Sequence, residues 1–322
     1  MDQAAIVPTL TAFIIAVIIG PIFIPFLKRL RFGQSIRSDG PQSHLKKTGT
    51  PTMGGIIFLM STFVTTLIGL LFWDSFELNA TLLMLLLPLF GCSLIGFIDD
   101  FIIVVKKDNK GLRPKHKMLG LFLIGAGFFY LFMIAGYSTV VNFGIVSFDL
   151  AWGHGIWVLF MILAGSNATN LTDGLDGLLG GTSFIVFGIF GLIAMALGDY
   201  TIAVFCFIMA GALAGFLVFN LNPAKVFMGD TGSLGLGALM SAVVILLGHE
   251  WLLLMVGFIF VIETVSVILQ VLYFKKTGGK RIFKMAPLHH HFELSGWDER
   301  KVVLIFWIIT LILGIVALNI ML

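Results

Sequence analysis

Charged residues are scarce in this chain, and their scarcity excludes an ordinary soluble domain. Asp, Glu, Lys and Arg together make up 11% of the 322 residues, whereas 58% are apolar and the mean hydropathy is +1.05. Soluble domains carry roughly 25% charged residues. The sequence also lacks heptad repeats and low-complexity tracts. The composition therefore indicates an integral membrane protein.

Cysteine is equally scarce. The two cysteines, Cys92 and Cys206, both lie in apolar segments, so we expect small buried hydrophobic residues and no disulfide framework. The formal net charge is only +3, and no feature of the sequence suggests nucleic-acid binding.

Apolar runs of about 20 residues recur along the chain, and each can cross a ~30 Å hydrocarbon core as an α-helix. The predicted spans are 4–27, 53–73, 79–98, 118–136, 151–168, 178–197, 201–219, 233–248, 251–274 and 302–321. The expected fold is thus an all-α integral membrane protein of about ten helices, with residues 1–322 forming one membrane domain. The outer segment 137–150 is rich in β-branched residues and is predicted to form a small β-hairpin.

The positive charges are confined to alternate loops. All 20 Lys and Arg residues lie between spans 1 and 2, 3 and 4, 7 and 8, or 9 and 10, while the outer loops contain only acids and histidines. The positive-inside rule places the basic loops in the cytoplasm and both termini outside. Deleting the weakest span, 151–168, would move the last basic cluster outside, so this span is retained. The first span is expected to remain uncleaved, because its positive charges follow the apolar run.

Two adjacent acids, Asp99 and Asp100, directly follow the apolar run of span 3. Carboxylates are costly at a membrane, repel each other, and are disfavoured at the C-terminal end of a helix. A metal ion or a lysine such as Lys115 would resolve these conflicts. The alternative is an ordinary hydrated helix end.

The loop between spans 5 and 6 has no Lys or Arg but contains Asn170, Asp173 and Asp176. In a helix, this spacing would place all three on one broad face. Oxygen ligands without cysteine suit Mg²⁺, which needs few protein ligands and commonly bridges to substrate phosphates. A capped turn between two helices is the alternative.

The segment FMGDTGS, residues 227–233, precedes span 8 at its cytoplasmic end. Asp230, Thr231 or Ser233 could cap this helix, and its free amide groups could bind a phosphate oxygen. Capping alone would also explain the segment.

A fourth cluster, APLHHHFE, occupies residues 286–293. Three consecutive histidines cannot all point the same way, so no standard zinc site is predicted. In an extended strip, His289 and His291 would share one side. Imidazoles can bind phosphate or carry protons.

Two weaker features complete the set. The segment KTGTPTMGG, residues 47–55, could cap span 2 and supply small residues for helix packing. Glu263 lies within span 9 with Gln270 two turns later, and an intramembrane carboxyl suggests either function or a structural hydrogen bond. Together, the inward-facing acids and basic residues favour Mg²⁺-dependent phosphoryl chemistry, with a lipid phosphate as one substrate.

Five motifs in order, LKKTGTPTMGG, GFIDDF, NATNLTDGLDGL, FMGDTGSLGLG and APLHHHFE, resemble those of the phospho-N-acetylmuramoyl-pentapeptide transferases over essentially the full length. The resemblance implies transfer of phospho-MurNAc-pentapeptide from its UDP carrier to undecaprenyl phosphate, giving lipid I and UMP. It also implies a Mg²⁺ requirement, a cytoplasmic active site and a bacterial plasma membrane location. It leaves a homodimer open.

The same resemblance implies residue roles by motif. Asp230 would be the principal Mg²⁺ ligand together with Asn170, and Asp99 or Asp100 would activate the lipid phosphate, either as a base or as the site of a covalent intermediate. Substrate would be bound by Lys47, Thr52, Lys115, Asn170, Asp173, Asp176 and Phe227, and its phosphate or sugar would be contacted by His289, His290 and His291.

Two alternatives remain. A sister polyprenyl-phosphate transferase using UDP-N-acetylglucosamine shares the acidic motifs, but the histidine triplet argues against it. A secondary transporter could use Glu263 as a coupling group, but transporters place ionisable groups near the midplane and often show inverted repeats. Here most acids lie at one face and no clear repeat is evident.

Overall fold

The computed structural model describes residues 2–29, 47, 49–73, 76–106, 111–144 and 146–322. Eight charged residues of the predicted loops lie outside the described residues: Arg31, Arg37, Asp39, Lys46, Asp74, Lys107, Asp108 and Lys110. The described helices are α1 Asp2–Arg29, α2 Gly55–Phe72, α3 Ala80–Lys106, α4 Pro114–Ile134, α5 His154–Thr172, α6 Leu178–Leu197, α7 Tyr200–Asn220, α8 Asp230–Leu246, α9 Trp251–Val256, α10 Phe258–Lys276, α11 Leu288–Leu294 and α12 Glu299–Met321.

The all-α membrane architecture predicted from hydropathy is confirmed. Within the described part of the chain, nine helices are long and apolar enough to cross a membrane. Helix α8, with 17 residues, is the shorter apolar helix that brings the number of spans to ten. The predicted span 251–274 is in fact two helices, α9 and α10. The helix is interrupted at Gly257, which caps the end of α9 and the start of α10.

Helix α8 lies at the centre of the bundle. Every residue from Thr231 to Leu246 is buried, which is typical of a helix surrounded by protein on all sides. Helices α3 and α5 pack closely against it at glycines. A Cβ atom added at Gly96 would overlap the carbonyl group of Asp230, and one added at Gly237 would overlap that of Gly165. These close approaches set the start of α8 directly beside α3 and α5.

The predicted outer hairpin is also confirmed. Strand β1, Val140–Asn142, pairs antiparallel with strand β2, Ser147–Asp149, with Val141 opposite Phe148. A single 3₁₀ turn, Ala151–Gly153, then leads into α5.

The prediction that span 3 ends at residue 98 is wrong. Helix α3 continues to Lys106, so Asp99 and Asp100 lie inside a helix and both are buried. The two acids were taken to mark the C-terminal end of the span, with a hydrated helix end as the alternative, but the start of helix α8 packs against them and α3 continues.

Candidate active site

Asp100 caps the start of helix α8 from the neighbouring helix α3. Its carboxylate accepts hydrogen bonds from the backbone N–H of Asp230 at 3.2 Å, the backbone N–H of Thr231 at 2.9 Å and the hydroxyl of Thr231 at 2.6 Å. The cap was predicted to come from the side chain of Asp230, Thr231 or Ser233. None of these side chains makes it, because the capping position is Gly229. The negative charge therefore sits at the positive end of a helix dipole.

The segment 51–55 runs beside the segment 227–228 through main-chain hydrogen bonds. The N–H of Gly54 donates to the carbonyl of Phe227 at 2.8 Å, and that of Gly55 donates to Met228 at 2.9 Å. Gly229 has φ 75°, and a Cβ atom there would crowd Asp100 and Thr52. The first and fourth motifs of the chain are thus one continuous piece of structure at the start of α8.

Asp230 is the point at which residues of three motifs converge. Its Oδ2 pairs with Lys117 Nζ at 2.5 Å, and the same ammonium lies 3.8 Å from Asp99 Oδ2. The side-chain amide of Asn170 donates to Asp230 Oδ1 at 2.6 Å and to Ser233 Oγ at 3.0 Å. Asp99 Oδ1 also accepts the backbone N–H of Leu112. The result is a compact cluster of carboxylates around one cation.

The prediction that Lys115 neutralises the paired acids is wrong, because Lys117 occupies that position. Lys115 lies in the first turn of α4 and is exposed. Helix α4 begins at Pro114, four residues earlier than predicted, and this start determines which lysine faces α3 and α8. Basic charge near the acids was visible in the sequence, but the rotation of α4 was not.

The residues Asn170, Asp173 and Asp176 do not share one helical face, which corrects the prediction. Asn170 lies in the last turn of α5, Asp173 follows the helix end at Thr172, and Asp176 lies in the turn before α6. Burial raises the pKa of Asp173 to about 7, and the nearby negative charge of Asp230 raises it further in the same direction. Asn170 and Asp173 therefore belong to the cluster around Asp230.

Asp176 belongs to a second cluster. Lys47 Nζ lies 2.7 Å from Asp176 Oδ1 and 2.6 Å from Glu299 Oε1. Asp176 Oδ2 accepts the backbone N–H of Ala224 at 3.0 Å, and Asn222 Nδ2 donates to both acids at 3.2 Å. Glu299 was not predicted, because it belongs to no motif and looks like an ordinary acid in the first turn of α12.

The histidine triplet forms part of helix α11 and is not extended, so the condition under which His289 and His291 would share one side is not met. Each ring has its own partner. His289 Nδ1 lies 3.0 Å from Glu263, His290 Nδ1 lies 3.0 Å from Glu293, and His291 Nδ1 accepts the backbone N–H of Lys284 at 3.1 Å. His289 and His291 therefore do not act from the same side.

Gln270 has a different partner from Glu263, although the two share a face of α10. Its side-chain carbonyl accepts the backbone N–H groups of Ile282 and Phe283, both at 3.0 Å, and its amide donates to the carbonyl of Phe283. Gln270 therefore holds the segment between α10 and α11 against the end of the membrane span.

The cluster around Asp230 fits a magnesium ion by the chemistry of its donors. Within the described residues, no three His, Cys, Asp or Glu side chains are grouped as metal ligands. Mg²⁺ is usually bound by only one or two protein carboxylates, with water and substrate phosphates completing its shell. Asp230 and Asp99 already share one positive charge, that of Lys117, and the side-chain amide of Asn170 donates to Asp230 at the same place. These residues could hold the ion.

Ten membrane spans and a carboxylate, amide and lysine cluster where four of them meet define a class: multi-pass membrane proteins with a charged site at one end of the helical bundle. Comparison with known proteins narrows this class. A family model described as glycosyl transferase family 4 matches residues 82–248, and the phospho-N-acetylmuramoyl-pentapeptide-transferase signature 1 matches residues 47–59.

Full-length relatives agree with both matches. The chain is 53% identical over 322 residues to the phospho-N-acetylmuramoyl-pentapeptide-transferase of Bacillus cytotoxicus, and 52% identical to those of Bacillus mycoides and Bacillus thuringiensis. Each alignment covers 99% of this chain and 98% of the relative. The chain therefore belongs to the phospho-N-acetylmuramoyl-pentapeptide-transferase family, and it is a multi-pass membrane enzyme.

Proposed function

We propose that this enzyme transfers phospho-MurNAc-pentapeptide from UDP-MurNAc-pentapeptide to undecaprenyl phosphate. In this reaction an oxygen of the lipid phosphate bonds to the β-phosphorus of the donor. The bond from that phosphorus to the bridging oxygen breaks, and UMP leaves. The product is lipid I, the first membrane-bound intermediate of peptidoglycan synthesis. The observation that carries the proposal is the convergence of Asp99, Asn170, Asp230 and Lys117, from four separate helices, on one point at the end of the bundle.

The metal proposal rests on the same cluster. Asp230, with Asn170, would hold Mg²⁺, which when bound neutralises charge on the donor pyrophosphate and the leaving UMP. Lys117 adds a second positive charge between Asp230 and Asp99. Asp173 lies beside this cluster with a pKa of about 7, so it can be neutral when the pyrophosphate binds.

Asp99 is the better placed of the two adjacent acids to accept a proton from, or orient, the lipid phosphate. Asp100 already accepts three hydrogen bonds from Asp230 and Thr231. Its role in this proposal is therefore to fix the start of α8, and with it the backbone of Asp230. Asp99 accepts one backbone hydrogen bond and faces the Lys117 ammonium.

The second cluster is assigned to the nucleotide half of the donor. Lys47 and Asp176 lie within hydrogen-bonding distance of each other, and Thr52 and Phe227 belong to the adjoining pair of segments joined by main-chain hydrogen bonds. Lys115 is exposed near the same end and is assigned to the pyrophosphate. The three histidines remain assigned to the phosphate or sugar of the donor.

We place the active site in the cytoplasm of a bacterial cell, with both termini outside the plasma membrane. The support is the sidedness of the sequence, since every Lys and Arg falls in alternate loops, and one of these loops leads directly into Asp230 at the start of α8. The relatives in Bacillus species support a bacterial setting.

The test is a transfer assay in detergent with undecaprenyl phosphate and labelled UDP-MurNAc-pentapeptide, with UDP-N-acetylglucosamine as the competing donor. We expect labelled lipid and UMP from the pentapeptide donor only, and loss of both on adding EDTA, with recovery on adding excess Mg²⁺. Labelling from UDP-N-acetylglucosamine alone would move the enzyme to the sister subclass. Full activity in EDTA would contradict the metal proposal.

A further inference from the structure

Glu263 is a carboxyl group buried inside a membrane-spanning helix. It lies in α10, has no exposed surface, and is surrounded by apolar residues of a span whose other charges are confined to its last turn. A carboxyl at this depth is costly and requires a partner. The described partner is His289, the first residue of the histidine triplet.

Both oxygens of Glu263 contact the same residue. Oε1 accepts the backbone N–H of His289 at 3.1 Å, and Oε2 lies 3.0 Å from His289 Nδ1. We infer that Glu263 is a positioning residue for His289, which holds the imidazole with its proton on Nδ1 and its Nε2 bare. This inference rests on the proposed function, because it gives the first histidine of the triplet a defined chemical state in that reaction.

The direction of the hydrogen bonds follows from donor chemistry. A backbone N–H can only donate, so Glu263 acts as an acceptor towards α11. An ionised carboxylate accepts on both oxygens, and the second bond then requires a proton on Nδ1. In a neutral imidazole, a proton on Nδ1 leaves Nε2 as an acceptor. The same logic orients the histidine in other carboxylate–histidine pairs.

The bare nitrogen faces the turn that follows Asn170. His289 Nε2 is buried and has no hydrogen-bond partner among the described residues. A Cβ atom added at Gly174 would overlap this nitrogen, so the ring lies directly against the backbone between Asp173 and Asp176. An unsatisfied buried acceptor is costly, and its retention is explained by a donor that arrives with the substrate. A hydroxyl or amide N–H of the sugar–peptide half of the donor has the required chemistry.

A purely structural role makes a different prediction. Glu263 also satisfies a free N–H in the first turn of α11, and this cap alone could be its purpose. Glu263→Gln separates the two roles. The amide oxygen can still accept the backbone N–H of His289, whereas the amide NH₂ would face Nδ1 and donate to it. The cap is then kept, and the imidazole proton moves to Nε2.

The experiment combines transfer kinetics with ¹⁵N spectra of histidine-labelled full-length enzyme. In the wild type, the signals that disappear in His289→Ala should report a proton on Nδ1, and in Glu263→Gln they should report a proton on Nε2. We expect Glu263→Gln to lower kcat by about a hundredfold, with KM for the UDP donor and the melting temperature little changed. In the His289→Ala background, the same substitution should cause no further loss.

Glu250→Gln is the matched control, because it also converts a buried carboxyl to an amide but lies at the outer end of the bundle. It should leave kcat and the His289 signals unchanged. Equal kcat in Glu263→Gln and wild type, or the same loss with and without His289, would overturn the inference. So would a wild-type spectrum with the His289 proton on Nε2. This spectrum decides the question even if Glu263→Gln does not fold. The same spectrum can be read even if the wild-type enzyme shows no transfer from either UDP-sugar donor. That result would reject the proposed function and not the state of His289.

Discussion

Both ends of the bundle bury a glutamate beside a histidine, but the two pairs differ in their surroundings. At the inner end, Glu263 makes two contacts with His289 within 3.1 Å. At the outer end, Glu250 Oε1 lies 4.0 Å from His154 Nε2, and the His154 ring stacks on Phe132 with ring centroids 4.9 Å apart. Among the described residues, His154 Nδ1 has no hydrogen-bond partner.

The difference between the ends shows what distinguishes a candidate site from buried polar groups. The outer loops contain no Lys or Arg, and Glu250 accepts the backbone N–H of Asn142, at 3.3 Å, which anchors the hairpin. At the inner end, acids from several helices meet lysines and the start of α8. Burial of a carboxyl is therefore a weak indicator of function, whereas convergence of separate motifs on a shared cation is a strong one.

The largest effect should separate the two ends directly. Asp230→Ala should lower the transfer rate by about a thousandfold or more, since a bound metal supplies several kcal/mol of charge stabilisation in such reactions. Glu250→Gln, which removes the charge of a buried carboxyl at the outer end, should leave the transfer rate unchanged. Initial rates of lipid I formation at saturating Mg²⁺ would measure both. Wild-type activity in Asp230→Ala would remove the basis for the metal assignment.

The second prediction tests the cation at the inner end. Lys117→Met should lower kcat by about a hundredfold, because it leaves Asp99 and Asp230 without their shared positive charge. Lys115→Met, two residues earlier on the exposed side of α4, should have a smaller effect that appears mainly in KM for the UDP donor. Steady-state kinetics of both purified variants would decide, and a larger kcat loss in the Lys115 variant would reverse the assignment.

The third prediction concerns the cap that Asp100 provides. Thr231→Val removes the hydroxyl that donates to Asp100 at 2.6 Å, and we expect a loss of about 1.5–3 kcal/mol of stability, as for hydrogen bonds to charged groups. Thr65→Val is the matched control, since the buried hydroxyl of Thr65 has no described partner and its removal should cost nothing. Thermal unfolding in detergent would compare the variants. Equal melting temperatures would show that the hydroxyl does not support the cap.

The smallest effect concerns pH and the outer end. Burial raises the pKa of Glu250 above its ordinary value of 4.5. The folded state therefore holds this proton more tightly than the unfolded state. The associated stability is fully present below about pH 4.5 and is lost as the pH rises through the folded pKa. Glu250→Gln cannot titrate, so its melting temperature should fall less than that of the wild type over this rise in pH. If the melting temperatures of the wild type and Glu250→Gln fell equally with rising pH, the prediction would be contradicted.

The membrane spans were predictable because hydropathy is a local property of each segment. The start of α8 was predicted only as a capped helix, since the carboxyl that caps it comes from Asp100, 130 residues away. For the same reason, Asp99 and Asp100 were interpreted as the end of a helix. In the structure α3 continues to Lys106, and the start of α8 donates hydrogen bonds to Asp100. Local pattern could not supply a partner that lies on another helix.

The candidate site was predictable as a set of motifs but not as a geometry. Asp230 and Asn170 were assigned together and do meet. The choice of Lys117 over Lys115 depends on where α4 begins, and the helical form of the histidine triplet accompanies a bond to Glu263 on another helix. No feature of the sequence pointed to Glu299. Only its contact with Lys47 in the structure distinguishes it from any acidic residue in the first turn of a helix.

The main-chain pairing of residues 51–55 with residues 227–228 has a consequence for how the enzyme is made. Synthesis proceeds from the N-terminus, so the first motif is produced long before its partner. The amide groups of Gly54 and Gly55 must wait for the carbonyls of Phe227 and Met228, which emerge only after six helices, α2 to α7, have been made. Asp99 and Asn170 are made during that interval, but the candidate site still lacks Asp230, which follows Met228 by two residues. The pairing of the two segments and the completion of the candidate site are therefore both late events in the synthesis of the chain.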